Sequence, residues 1–228
     1  MQNNPVIIIS RTDSIGDVVL TLPMAGIIKQ FLPQSNIIFL GRNYTKDVIA
    51  LSEHVDEFVS YDDILKLNPN EQIDAFKKLN ATHIIHVFPI KEIAQLAKKA
   101  GIAHRIGTTN RLWHWFTCNV RIKLSRKNSD LHEAQLNTKL LAPLGIDKDF
   151  SIEELATNYG FTKVPTLEKT HLDLIDKTKI NVILHPKSKG SAREWGLDNF
   201  SKLITQLDKT THQIYISGTQ QEGELVKD

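Results

Sequence analysis

Asp17 is the residue of this chain best suited to chemistry. It closes the run Arg11-Thr12-Asp13-Ser14-Ile15-Gly16-Asp17, which holds two carboxylates, a guanidinium and two hydroxyls. A carboxylate that faces a cleft can take the proton from a hydroxyl as that oxygen attacks an electrophile. Asp13 puts a second negative charge nearby, and like charges raise the pKa of one member of such a pair. The plainer reading is that Asp17 only caps a helix, since Asp is among the best N-cap residues. Spacing alone favours the cap. The complementary chemistry lies far along the chain. The loop over 185–196 carries Lys187, Ser188, Lys189, Gly190, Ser191 and Arg193. Hydroxyls, cations and a glycine between a strand end and a helix start suit a bound phosphate. Taken alone, a lysine-rich loop reads first as a solvated basic turn. It lacks the glycine-lysine-serine order of a P-loop, and the chain has no GxGxxG fingerprint and no nucleophile elbow.

Both stretches need an element on each side. Val6-Ile7-Ile8-Ile9-Ser10 reads as a strand buried on both faces. Gly16 is expected to let the backbone turn, and Asp17 to open a helix over 17–32. Pro23 either starts a second helical segment or kinks the first. Further strands are expected at 36–40, 57–60 and 82–88, with helices over 44–51, 71–79 and 90–100, the last stopped by Gly101. That alternation predicts an α/β fold with a parallel sheet and crossover helices, and ligands sit at the carboxyl ends of such strands. A helix over 131–144 carries His132 and Glu133 near its start and ends at Gly145. Residues 150–159 are ambiguous, 163–165 read as a linker or a strand entering a second lobe, and 168–177 as a solvated helix. The opening pattern then recurs as a strand at 180–184, the basic loop, a helix over 198–207 and a strand at 213–217. Two strands and two helices make a poor free-standing sheet, so this second lobe reads as incomplete. The expected domains are 1–162 and 163–228.

Residues 102–127 differ in texture. Arg105, Arg111, Arg121, Lys123, Arg126 and Lys127 are interleaved with Trp113, His114, Trp115 and Phe116, and no acidic residue occurs. Residues 120–124 alternate as a half-exposed strand would. Arginines pair with phosphate or sugar-acid carboxylates, and tryptophans suit a membrane–water boundary. The competing reading is that the aromatics are core, the commoner fate of Trp and Phe. Nucleic acid is disfavoured, because no RNA-binding motif accompanies the segment and the net charge is only +2.

The 228 residues allow one large domain or two small ones, and 41% hydrophobic with 24% charged is ordinary for a soluble globular chain. Cys118 is the single cysteine, which leaves no internal disulfide and suits a reducing cytoplasm. His83, His86 and His132 are not at metal-ligand spacing with it and read as structural, so no metal is expected. No apolar run approaches the roughly 20 residues that span a bilayer, and no basic leader precedes the first strand.

RTDSIGDVVLTLP resembles the N-terminal signature of glycosyltransferase family 9, the ADP-heptose:lipopolysaccharide heptosyltransferases. LHPKSKGSAREWGLDNFSKLI is similar to that family's donor loop, and Leu131-His132-Glu133 before a helix ending Leu144-Gly145 matches a third family pattern. The resemblance implies a GT-B fold of two Rossmann-like lobes with parallel sheets, the second reading as truncated. It implies inverting, metal-independent transfer of a heptose from ADP-heptose to a lipopolysaccharide inner-core acceptor, without a cofactor. Carried over by position, Asp17 is the general base. Ser188, Lys189, Ser191 and Arg193 face the donor, Arg193 standing where the family often has a lysine. Arg11, Asp13, Gly16, Arg105 and Arg111 are assigned to the acceptor. Asp13 departs from a frequent serine, and no segment matches the family's later glycine- and histidine-containing nucleotide site. The acidic and basic loops are expected to face one crevice. The chain is expected in the cytoplasm, in peripheral contact with the inner face of the inner membrane. The alternative is a truncated, non-catalytic remnant that acts as a binding module.

Overall fold

A computed structural model describes residues 4–125, 129–188 and 193–224. The chain divides into two compact units, Met1–Val164 and Pro165–Asp228. The first is built from β1 (Val6–Ser10), α1 (Ile15–Val19), α2 (Pro23–Phe31), β2 (Asn36–Gly41), α3 (Lys46–Ala50), β3 (Glu57–Ser60), α4 (Tyr61–Leu65), α5 (Pro69–Lys78), β4 (His83–His86), α6 (Lys91–Lys99), β5 (His104–Thr108), α7 (His114–Thr117), β6 (Val120–Ile122), α8 (Glu133–Thr138) and α9 (Ile152–Ala156). Its strands form one six-stranded sheet in the order β3-β2-β1-β4-β5-β6, and every pairing is parallel. The order reverses between β1 and β4, which places the topological switch point beside Arg11.

Alternation along β1 explains why both faces are covered. Ile7 and Ile9 pack with Met24, Ile27 and Ile28 of α2 and Leu136 of α8. Ile8 points the other way, against Phe76 of α5 and Ile93 and Ala97 of α6. Such a strand reads as a continuous apolar run because both sides meet helices. Pro23 starts α2, where its missing N–H costs nothing, so the expected long helix is two short ones. Gly101 and Gly145 take positive φ, 78° and 81°, and end their helices as expected.

Three expectations need correction, and the sheet holds one strand that was not expected. Gly16 does not make a turn; it lies inside α1 with open space where a Cβ would be, and the chain turns before it. The helix expected over 131–144 is α8 followed by a 3-10 segment, Lys139–Leu144, because Pro143 cannot continue an α-helical ladder. The helix expected over 168–177 shrinks to four residues, Lys169–Leu172. β5 was hidden because its sequence, HRIGT, has one large apolar residue. Gly107 is required there: a Cβ would stand 2.6 Å from His114 Nδ1 and 2.8 Å from Cys118 Sγ.

The second unit holds α10 (Lys169–Leu172), β7 (Ile180–Leu184), α11 (Leu197–Gln206), β8 (His212–Ile216) and α12 (Gln220–Glu224). β7 and β8 form a parallel two-stranded sheet, with Ile180 paired to His212 and Leu184 to Ile216. Ile183 and Ile216 remain largely exposed within this unit.

The histidines fill structural roles. His83 stacks on His104, with centroids 4.4 Å apart, and His132 caps α8 through its side chain. His86 is fully buried 5.5 Å from the ring of His114, and burial pushes its pKa down to about 3. His86 is therefore neutral in the native state but gains a proton in the unfolded chain below pH 6.5. Its contribution is complete above that value and is lost as pH falls toward 3, at about 1.4 kcal/mol per pH unit. The His86→Leu variant is expected to lose one proton's worth of this acid sensitivity, read as a shallower fall of denaturation midpoint with pH. An unchanged slope would contradict the assignment.

Candidate functional site

The backbone leaves β1 at the switch point, and Arg11 turns inward there. Only 4% of it is exposed. Its Nε lies 2.7 Å from Asp13 Oδ1, one terminal nitrogen 2.7 Å from Asp17 Oδ1, and the other 3.2 Å from Glu133 Oε1. The Phe88 ring, just beyond β4, lies 5.9 Å from the guanidinium carbon. A buried guanidinium needs such partners, and its planar fork can reach several at once. One cation thus gathers three carboxylates from β1's loop, α1 and α8.

Asp17 does not cap α1. Ser14 is the N-cap, and Asp17 occupies the third helical position. Ser14 donates its hydroxyl proton to Asp17 Oδ2 at 2.5 Å, so both carboxylate oxygens are held, one by Arg11 and one by Ser14. The side chain is still 37% exposed. Asp13 is more enclosed. Burial raises its pKa, Arg11 opposes that rise, and the charge of Asp17 adds to it. The sequence-based expectation of a raised pKa therefore holds for Asp13, with burial rather than repulsion as the larger cause. Tyr44 donates its hydroxyl to the Asp13 carbonyl at 2.5 Å.

Glu133 reaches this centre because α8 is docked firmly. His132 Nδ1 accepts from the Ala134 amide, and Gln135 returns a bond to the His132 amide, a capping box that fixes the first turn. One turn on, buried Asn137 donates to the Leu20 carbonyl and the Thr21 hydroxyl, and Thr21 in turn donates to the Asp17 carbonyl. Reasoning from sequence noted Glu133 but did not join it to Arg11. Its only signal was the Leu131-His132-Glu133 pattern; nothing pointed to Tyr44, Phe88 or Asn137.

Arg11, Asp13, Gly16 and Asp17 are therefore brought together. Arg105 and Arg111 are not part of that cluster. Arg105 points its Nε at the Thr117 carbonyl and another nitrogen at the Ile102 carbonyl. Arg111 is exposed, 5.7 Å from the Trp113 ring. Arg126 and Lys127 lie outside the described residues.

In the second unit, Lys189, Gly190 and Ser191 also lie outside the described residues. The flanking loop converges on a carboxylate. Glu194 accepts from Lys187 Nζ at 2.8 Å, from the Ser188 amide at 3.1 Å and from the Ser188 hydroxyl at 3.4 Å. Those donors hold Glu194's pKa below the usual range, Lys187 most of all. Arg193 is exposed. Next to this loop a pocket of about 230 Å³ opens at the carboxyl ends of β7 and β8, lined by Pro186, Lys187, Ser217, Gly218, Thr219 and Glu222 among others. Buried Glu222 accepts there from the Thr219 amide and hydroxyl at 2.7 and 2.8 Å.

If Arg11 holds the cluster, Arg11→Gln leaves three crowded carboxylates without their cation. We expect a loss of about 3 kcal/mol at neutral pH, shrinking as pH falls into the carboxylate range and the groups protonate. Chemical denaturation at two pH values checks this; an equal loss at both would contradict it.

Comparison with solved structures places the fold. A family 9 glycosyl transferase from Veillonella parvula matches 98% of this chain with a TM-score of 0.76 at 17% identity, over 65% of its own length. The E. coli heptosyltransferase WaaC with ADP gives 0.71 at 17%, covering 96% of this chain and 70% of that one. The E. coli ADP-heptose lipopolysaccharide heptosyltransferase II gives 0.72 at 14%, covering 96% and 66%. This chain thus spans about two thirds of the length of these proteins. No protein-family model matches the sequence, and neither does any curated protein. The likeness shows the fold: α/β, with the parallel-sheet architecture of family 9 glycosyltransferases.

Proposed function

We propose that this chain belongs to an inverting glycosyltransferase of the heptosyltransferase type. Its donor is ADP-heptose, its acceptor the lipopolysaccharide inner core, and it works in the cytoplasm at the inner face of the inner membrane. The observation that carries the reading is the state of Asp17: half-buried, in the first turn of α1 just after the loop that leaves β1, with each oxygen held in place. The structural neighbours support it, since WaaC was solved with ADP and with ADP-2-deoxy-2-fluoro heptose.

In this mechanism the acceptor hydroxyl attacks the anomeric carbon of the donor. The new carbon–oxygen bond forms as the bond to the diphosphate breaks, through an oxocarbenium-like state. Asp17 receives the hydroxyl proton. Carboxylate oxygens have two lone pairs each, so an oxygen already accepting from Ser14 or Arg11 keeps room for one more proton. Arg11 acts through the carboxylates it positions. ADP leaves with the bonding pair, and its charge is met by Arg193, Ser188, Lys189 and Ser191. Cationic side chains supply that stabilisation, which makes the transfer metal-independent.

The second reading is a binding module without transfer. It is favoured by one observation, the closure of Lys187 and Ser188 onto Glu194. Calorimetry with ADP-heptose and a transfer assay separate the two. Under the first reading, Asp17→Asn lowers kcat by about a hundredfold or more while donor affinity stays near that of the parent protein. Undiminished transfer in that variant would overturn the assignment; donor or acceptor binding without transfer in the parent would favour the module.

A further inference from the structure

We propose that the surface around α7 docks onto an anionic phospholipid bilayer. α7 is amphipathic in the reverse sense. Its inward positions, one helical turn apart, are His114 and Thr117, both buried. Its apolar residues face outward: Trp115 is 54% exposed, Phe116 75%, and Leu112 just before the helix 81%. The expectation that these aromatics are core fails for Trp115 and Phe116. Burial of the polar side is secured by specific bonds. His114 Nδ1 meets the Thr108 backbone at 3.0 Å, and the Thr117 hydroxyl donates to the Trp113 carbonyl at 2.7 Å.

The apolar display is built in rather than left over from fraying. Three cations from three elements tie down the carbonyls at the end of α7: Lys98 holds Phe116 at 2.8 Å, Arg105 holds Thr117 at 2.7 Å, and Arg121 holds Cys118 at 2.7 Å. Arg121 also lies 4.7 Å over the Trp115 ring, while the indole N–H donates to the Thr109 carbonyl at 3.3 Å. Arg111 and Lys123 add exposed positive charge, and residues 102–127 contain no acidic side chain. Rigid aromatics ringed by cations match a bilayer whose headgroup phosphates are negative and whose interior begins a few ångströms below. An apolar protein partner would not require the exposed cations Lys98, Arg111 and Lys123 beside the aromatics. The aromatic anchors would enter the headgroup–acyl boundary, and the cations would pair with lipid phosphate.

This inference deepens the reading of a peripheral membrane location, yet vesicle binding needs neither donor nor acceptor. Its failure is therefore distinct from failure of transfer. The test is co-sedimentation with phosphatidylcholine vesicles, pure or containing about 30% phosphatidylglycerol. The expected result is binding to the anionic vesicles, weakened by salt, and little to the neutral ones. The combined Leu112→Ser and Phe116→Ser variant, which leaves the bonds of Trp115 intact, is expected to lose at least about tenfold in vesicle affinity with its melting temperature preserved, since these two side chains are exposed. Arg111→Glu with Lys123→Glu is expected to lose the anionic preference alone. No vesicle binding, or equal binding by the parent and the serine variant, would overturn the proposal. So would self-association in solution that the serine variant abolishes, which would assign the patch to a second copy.

Discussion

A single enclosed guanidinium organises the larger unit. Arg11 lies at the end of the central strand, and its three anionic partners come from its own loop, from α1 and from α8, 122 residues away. Putting such a cation into the fold without partners would be costly, so the strand, the first helix and the late helix must assemble together. The same contacts leave one carboxylate accessible and oriented. Under the proposed function, stability and chemistry would rest on one set of bonds.

The surrounding architecture serves that arrangement. β1 and β4 part company at the switch point, and the loop carrying Arg11 and Asp13 occupies the opening. α8 is held there twice, by Glu133 on Arg11 and by Asn137 on the junction of α1 and α2. Gly26 lets α2 approach closely on that same face; any Cβ would run into the Asn158 carbonyl beyond α9. The smaller unit has its own electrostatic logic. Its loop cation and hydroxyl are already turned toward an anion, the Glu194 carboxylate. A phosphate would have to displace that carboxylate from the same donors.

What sequence reasoning could see follows from what leaves a periodic trace. β1, β2 and β4 showed themselves because both faces are apolar, and the break at Pro23 because proline constrains the backbone locally. β5 left no trace, since packing of His114 and Cys118 demanded a glycine where a large side chain was expected. α4 went unseen because its start depends on the Ser60 hydroxyl meeting the Asp63 amide, and the helix is only five residues long. At the site, Asp17, Asp13 and Arg11 were legible as neighbours in sequence. The role of Arg11 was not, because its third partner comes from a helix far along the chain. Nor was Ser14 recognised as the cap that frees Asp17 from that duty.

The central claim is that Asp17 is held to accept a proton rather than to attack carbon. A single displacement by the acceptor oxygen then follows, and it leaves a stereochemical record. The most direct measurement is the anomeric configuration of the transferred sugar, read by NMR coupling in the product formed from a donor of known configuration. Inversion is expected. Retention would require a covalent glycosyl intermediate or a different face of attack, and it would contradict Asp17 as the proton acceptor.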